Sequence, residues 1–137
     1  MPIMADEAVI IELIGDGRPV RFTVADGTGI EKGTICKMTD PRTAIISDDQ
    51  GSFAGIAAAE KVASDGQTTL ALYTEGIFDL KTDTSTPGVG TLVVTDGANL
   101  VKARDAGDAL LGDNVGKALE TAASGEVIAV AVGIYMS

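Results

Sequence analysis

Apolar and polar residues alternate along this chain in short runs, each closed by glycine, aspartate or proline. That is the pattern of strands and tight turns. Residues 8–14, AVIIELI, read as a strand, and Gly15-Asp16-Gly17 as a turn. In residues 18–25, RPVRFTVA, Val20, Phe22 and Val24 share one face while Arg21 and Thr23 share the other, which predicts a half-buried strand starting after Pro19. GTICKMT (33–39), closed by Asp40-Pro41, and RTAIIS (42–47) are further strands. FAGIAAA (53–59) is extended or partly helical, because its alanine run suits either state. QTTLALYTEGIFDLKT (67–82) is the longest strand signal, with a bend expected at Gly76. TDTSTPGVG (82–90) is a loop.

The second half repeats the first. Gly33-Thr34-Ile35 with Thr39-Asp40 matches Gly90-Thr91-Leu92 with Thr95-Asp96. Gly55-Ile56-Ala57 followed by Ala63-Ser64-Asp65-Gly66 matches Gly116-Lys117-Ala118 followed by Ala122-Ala123-Ser124-Gly125. An alternating strand comes after each, and each then reaches Gly-Ile, at Gly76-Ile77 and Gly133-Ile134. The fold predicted is mainly β: a small barrel or sandwich of short strands with an internal pseudo-repeat and at most short helices. Residues 104–113 mix turn signals with a short apolar run, and the Ala-rich segments 57–63 and 117–123 are where a helix would be missed most easily. Residues 1–7 flank no periodic element and read as a flexible arm, leaving 8–137 as one β-rich domain.

Composition narrows the chemistry. The chain has 137 residues, no His, no Trp and one Cys. A His-based triad or general base is therefore absent, and so are most zinc ligand sets and any intramolecular disulfide. Lys and Arg number 10 against 20 Asp and Glu, a net charge of −10. The basic residues are scattered, so a phosphate backbone would be repelled and no nucleic-acid partner is expected. No segment reaches membrane-spanning length, and the N-terminus, with Pro2, Asp6 and Glu7, lacks the basic-then-apolar order of a signal peptide.

The remaining candidates favour plain structural readings. Gly27, Gly29 and Gly33 have the wrong spacing for a dinucleotide loop and precede no helix pattern, so they read as turns. Asp48-Asp49, or Asp105 with Asp108 and Asp113, offer oxygen ligands, but their turn contexts explain them without a metal. No carboxylate pair stands out for glycosidic chemistry. Cys36, between Ile35 and Lys37 in a strand, is expected to be a buried, inert thiol. No cofactor is called for. Ile3 and Met4, apolar residues in the arm, are the one docking candidate, as an extended segment added to a partner.

The phrases Ile30-Glu31-Lys32-Gly33-Thr34-Ile35, Gly55-Ile56-Ala57 and Thr69-Leu70-Ala71-Leu72-Tyr73-Thr74-Glu75-Gly76-Ile77-Phe78-Asp79-Leu80 resemble those of tailed-phage capsid decoration (cement) proteins. Residues 116–127, GKALETAASGEV, resemble the closing phrase of the same family, and the likeness spans roughly residues 20–135. It departs in the 82–90 loop and in acidity. The resemblance implies a small β-rich protein, made in the host cytoplasm, that sits on the outer surface of an icosahedral virion. It also implies a homotrimer bridging major capsid protein subunits; the arm residues Ile3 and Met4, read from the sequence itself, are then the expected capsid-binding residues. It implies no enzyme activity and no membrane partner. A generic β-barrel module for a ligand or polymer, or a small accessory subunit or enzyme using only Asp, Glu, Lys, Ser or Thr, are the other readings of the residues themselves.

Overall fold

The computed structural model describes residues 8–12, 19–40, 42–48, 52–97, 99–104 and 114–133. Eleven strands carry the chain: β1 (Val9–Glu12), β2 (Val20–Thr23), β3 (Ile35–Asp40), β4 (Thr43–Ile46), β5 (Phe53–Ala57), β6 (Thr69–Tyr73), β7 (Gly76–Thr82), β8 (Leu92–Asp96), β9 (Leu100–Ala103), β10 (Asn114–Ala118) and β11 (Val127–Val132). No helix occurs among the described residues. Ala54 and Ala57 face inward as parts of a strand, so tertiary packing overrides their helix propensity. The long 67–82 signal is two strands, broken at Gly76, whose φ of 143° lies outside the range L-residues favour.

The strands close two rings. The first runs β2-β4-β3-β5-β6 and the second β7-β9-β8-β10-β11, with β1 added to the free flank of β7. Each ring has one parallel contact, β2 with β4 and β7 with β9; every other contact is antiparallel. The repeat read in the sequence is therefore a duplicated barrel, and its registers agree except at the end of β3, where the pairing with β4 skips Thr39 while β8 pairs β9 without a break. Cys36 pairs Gly55 where Val93 pairs Gly116. Ala57 pairs Leu72 where Ala118 pairs Val130. Thr23 meets Thr43 where Lys81 meets Leu100. Even the irregularity that skips Ala54 recurs at Val115. Gly33 and Gly90 start β3 and β8 with φ of 87° and 82°, and each donates to the carbonyl of Ala57 or Ala118.

Both barrels have apolar interiors. The first holds Phe22, Val24, Ile30, Cys36, Ala44, Ala54, Ala57, Leu70 and Leu72. The second holds Phe78, Leu80, Val93, Val101, Val115, Ala118, Ile128, Val130 and Val132. The second core does not stop at its own strands. Ile35 and Ile56, on the outer face of the first barrel, belong to it, and Phe53 and Tyr73 pack against it. Tyr73 meets Phe78 across the junction with ring centroids 5.7 Å apart. Burying this wall in place of water is the main attraction between the barrels.

A polar clamp fixes the junction. Asn99 lies between β8 and β9 at φ 58°, a left-handed conformation that Asn tolerates. Its Oδ1 accepts from Ile35 N at 2.7 Å and its Nδ2 donates to Gly33 O at 3.1 Å, so barrel two grips the start of β3. Ala8 N donates to the same Gly33 oxygen at 2.8 Å before the chain enters β1, which thereby straps the first barrel to the second.

Candidate functional site

The described residues offer structural devices and surfaces, not a reactive centre. The most elaborate polar group is Lys61, whose side chain is fully buried. Its Nζ donates to Asp65 Oδ1 at 2.9 Å, Asp26 O at 2.9 Å, Val62 O at 3.0 Å and Asp26 Oδ1 at 3.3 Å. Asp26 Oδ1 also accepts from Gly66 N, and Asp65 from the amides of Gln67 and Val62. Desolvation pulls the Lys61 ammonium down, but the hydrogen bonds and charges of Asp65 and Asp26 outweigh it and hold its pKa above the ordinary value. The Lys61 hydrogen bond and the backbone donors hold the Asp65 carboxyl below the usual range, against its own desolvation. The cluster knits the Asp26-Gly27 turn to the 61–67 loop and closes one end of the first barrel. Sequence reading did not single out Lys61. The repeat read in the sequence sets Ala63 opposite Ala122; it is the fold that puts Lys61 there, since Lys61 N donates to Ile30 O where Ala122 N donates to Pro87 O.

Gly27 and Gly29 lie in the loop that Lys61 organises, and no helix follows them, in agreement with the turn reading. Cys36 is buried, and burial pushes its thiol up to about 12. Asp48 is exposed and bonded to Lys37 at 2.7 Å; chiefly that bond holds its carboxyl below the usual range. Asp49, Asp105, Asp108, Asp113, Ile3 and Met4 lie outside the described residues. Among the described residues no group of three acidic or Cys side chains converges as a cation would need. Asp96 shares a hydrogen bond with Asp83, which together with desolvation holds its pKa above the ordinary carboxyl value. Asp83 is itself held below it: desolvation opposes that shift, and bonds to Asp96 and Ser85 prevail.

Two surfaces are better candidates. β1 carries Val9, Ile10 and Ile11 at 53%, 36% and 52% exposure, on a strand that among the described residues pairs with β7 alone. An exposed apolar edge strand is a template for another chain. The second surface is an apolar cavity of about 270 Å3 lined by Ala25, Thr28, Ile30, Ala44, Ile45 and Ile46, where β2 and β4 diverge.

Comparison with known proteins places this architecture. No curated protein matches the chain. A family model described as phage cement protein matches residues 14–134, which takes in all of both barrels. The chain belongs to the phage cement protein family, structural components of the phage capsid.

Proposed function

We propose that this protein binds the outer surface of an icosahedral head as a homotrimer and stabilises contacts between major capsid protein subunits, without enzymatic activity. The observation that carries this reading is the family match across both barrels. The surfaces support it. The β1 edge offers three consecutive apolar residues and, among the described residues, a strand flank that no other strand covers. Residues 1–7 extend that strand in sequence, and Ile3 and Met4 are their apolar anchors. A net charge of −10 suits the outside of a DNA-filled shell better than its interior. A protein bound across a seam adds its binding free energy to the assembled shell and nothing to the separated subunits.

The reading is tested by adding purified protein to heads stripped of it and imaging them. Density outside the shell, centred on three-fold positions and spanning subunit boundaries, is expected. Isolated monomers away from three-fold positions would refute the trimer. Removing residues 1–7 is expected to lower occupancy while the β-type circular dichroism spectrum persists; full occupancy would remove only the arm.

The alternative of a ligand-binding module draws on the cavity beside β4. That cavity is apolar and opens along a strand edge, with no converging charged groups, so it suits a chain segment better than a small polar ligand.

A further inference from the structure

The repeat makes that cavity informative, because the second barrel shows what the first one lacks. In the second barrel the chain beyond β7 stays against β9. Asp83 N donates to Val101 O at 3.0 Å and Ser85 Oγ accepts from Ala103 N at 2.8 Å. The register makes Ala44 and Ile46 the counterparts of Val101 and Ala103. In the first barrel the chain turns away after Val24, into the loop held by Lys61, and neither bond has a counterpart among the described residues. Lys37 pairs Ile45, and Ser47 N donates to Ile35 O, so these residues direct their backbone groups toward β3. By alternation Ala44 C=O and Ile46 N–H face the seam. The seam therefore combines an open strand edge with an apolar floor. Cavities of about 150 Å3 accept benzene, so this one has room for an aliphatic side chain.

We propose that this seam is the seat of an extended strand supplied by residues 1–7 of a second copy of the chain, running antiparallel to β4. With Met4 opposite Ile45, the Ala5 amide donates to Ala44 O and the Ile3 carbonyl accepts from Ile46 N. Ile3 and Ala5 then face the cavity. The direction follows from charge. Arg21 and Arg42, both exposed, flank the Thr23–Thr43 contact where β4 begins, and the exposed Asp48 follows its end. An antiparallel segment brings Asp6 and Glu7 to the arginines. The chain's own arm, arriving from Ala8 beside Gly33, enters at the Ser47 end and sets the same two acids against Asp48. Asp48 already occupies Lys37 there at 2.7 Å, whereas the antiparallel arrangement offers the two acids a pair of arginines against the single Asp40, so charge favours a strand from a neighbour. This rests on the cement reading only in that the shell sets copies side by side; the contact itself is a property of the isolated protein.

The test uses full-length protein in solution and two variants. Ile3→Asp disables the arm and leaves the seam intact. Thr28→Phe, at an exposed position on the seam rim, fills the seam and leaves the arm intact. Wild type is expected to self-associate with concentration in sedimentation velocity, with the Ile46 amide exchanging about tenfold more slowly in the associated state. Each variant alone is expected to remain monomeric, with Ile46 unprotected. An equimolar mixture is expected to regain heterodimers, because one partner supplies the arm and the other the seam. Monomeric wild type at every concentration overturns the proposal. So does association that survives both substitutions, or a mixture that does not recover. Ile46 protection that is independent of concentration and lost in Ile3→Asp assigns the seam to the chain's own arm and overturns the second copy. No capsid enters this experiment, so its failure leaves the cement reading standing, and failure to decorate heads leaves its result standing.

Discussion

The two barrels share every strand contact within their rings and differ in how they fill and close the same frame. Where the second barrel places Val93, Val101 and Val115, the first places Cys36, Ala44 and Ala54. The first compensates with the larger Phe22 and Ile30 and with the aliphatic stem of Lys61, whose counterpart in the second barrel is Ala122. Its end is therefore sealed by an ion cluster; the corresponding strut in the second is a plain backbone bond from Ala122 N to Pro87 O at 2.9 Å. The hairpin tips diverge as well. Asn99 is buried in the junction, whereas its counterpart Arg42, at a similar φ of 51°, is exposed and donates to Arg21 O. Topology and register are thus set by the glycines and the alternation that both copies share. Interior volume, end closure and contacts are free to specialise.

Substitutions at paired positions break or sharpen this contrast. The largest effect is expected at the glycines where β5 and β10 cross their neighbours. A Cβ at Gly116 would lie on the Ala131 carbonyl oxygen, and at Gly55 it would lie 2.7 Å from Tyr73 O. Backbone cannot yield as a side chain can, so Gly116→Ala is expected to cost about 3 kcal/mol or more and Gly55→Ala somewhat less. Denaturant melts of the two variants give the ranking; equal, negligible losses would show that the strands separate freely.

Next comes the clamp. Asn99→Ala strands the Ile35 amide, leaves the Gly33 carbonyl to the Ala8 amide alone and places alanine at a left-handed φ, for an expected loss of about 2–3 kcal/mol. Arg42→Ala, on an exposed tip, is expected to cost about 1 kcal/mol or less. If Asn99→Ala melts in two steps while Arg42→Ala melts in one, the junction couples the barrels.

The Lys61 cluster gives a pH signature with an alkaline limb as well as an acid one, unlike the second barrel's Asp83–Asp96 pair, whose shifts are those of carboxyls alone. The Asp65 pKa is depressed in the fold, so its contribution is present above the normal carboxyl range and is lost as pH falls through the folded value. The Lys61 pKa is raised, so its contribution is full below the ordinary lysine value of 10.5 and is lost as pH rises through the folded one. Stability should therefore be level between roughly pH 5 and 10 as far as this cluster is concerned. In Lys61→Met both limbs should flatten, and unchanged limbs would assign them to other groups.

The smallest effect is at Cys36. With its thiol buried and pushed up to about 12, alkylation of native protein at pH 8 should proceed only as fast as unfolding. Rapid labelling would show that the first barrel opens more readily than its packing implies.

Much of this was legible in the sequence. Alternation located the strands, glycine and aspartate located the turns, and the paired phrases at Gly33 and Gly90 and at Gly55 and Gly116 revealed the duplication before any fold was known. Those signals are local, which is why they survive in a one-dimensional reading. Contacts across the fold were not legible. Nothing near Asn99 distinguishes a buried clamp from one more turn residue, and nothing near Lys61 marks it as buried, since its acids are 35 residues before it and four after. The seam was hidden for a related reason. It exists because the chain leaves β4 after Val24, a departure that shows only when the two barrels are superposed in register. The expected anchors Ile3 and Met4 lie outside the described residues, so the β1 edge and the seam, not the arm itself, are the surfaces the structure brings forward.

The measurement that tests the cement account most directly is heat-induced release of DNA from heads with and without this protein. Bound across subunit seams, the protein stabilises only the intact shell. Stripped heads should lose DNA at a lower temperature than decorated ones, and adding the purified protein back should restore the higher value. Identical release temperatures for stripped and fully decorated heads would contradict the account.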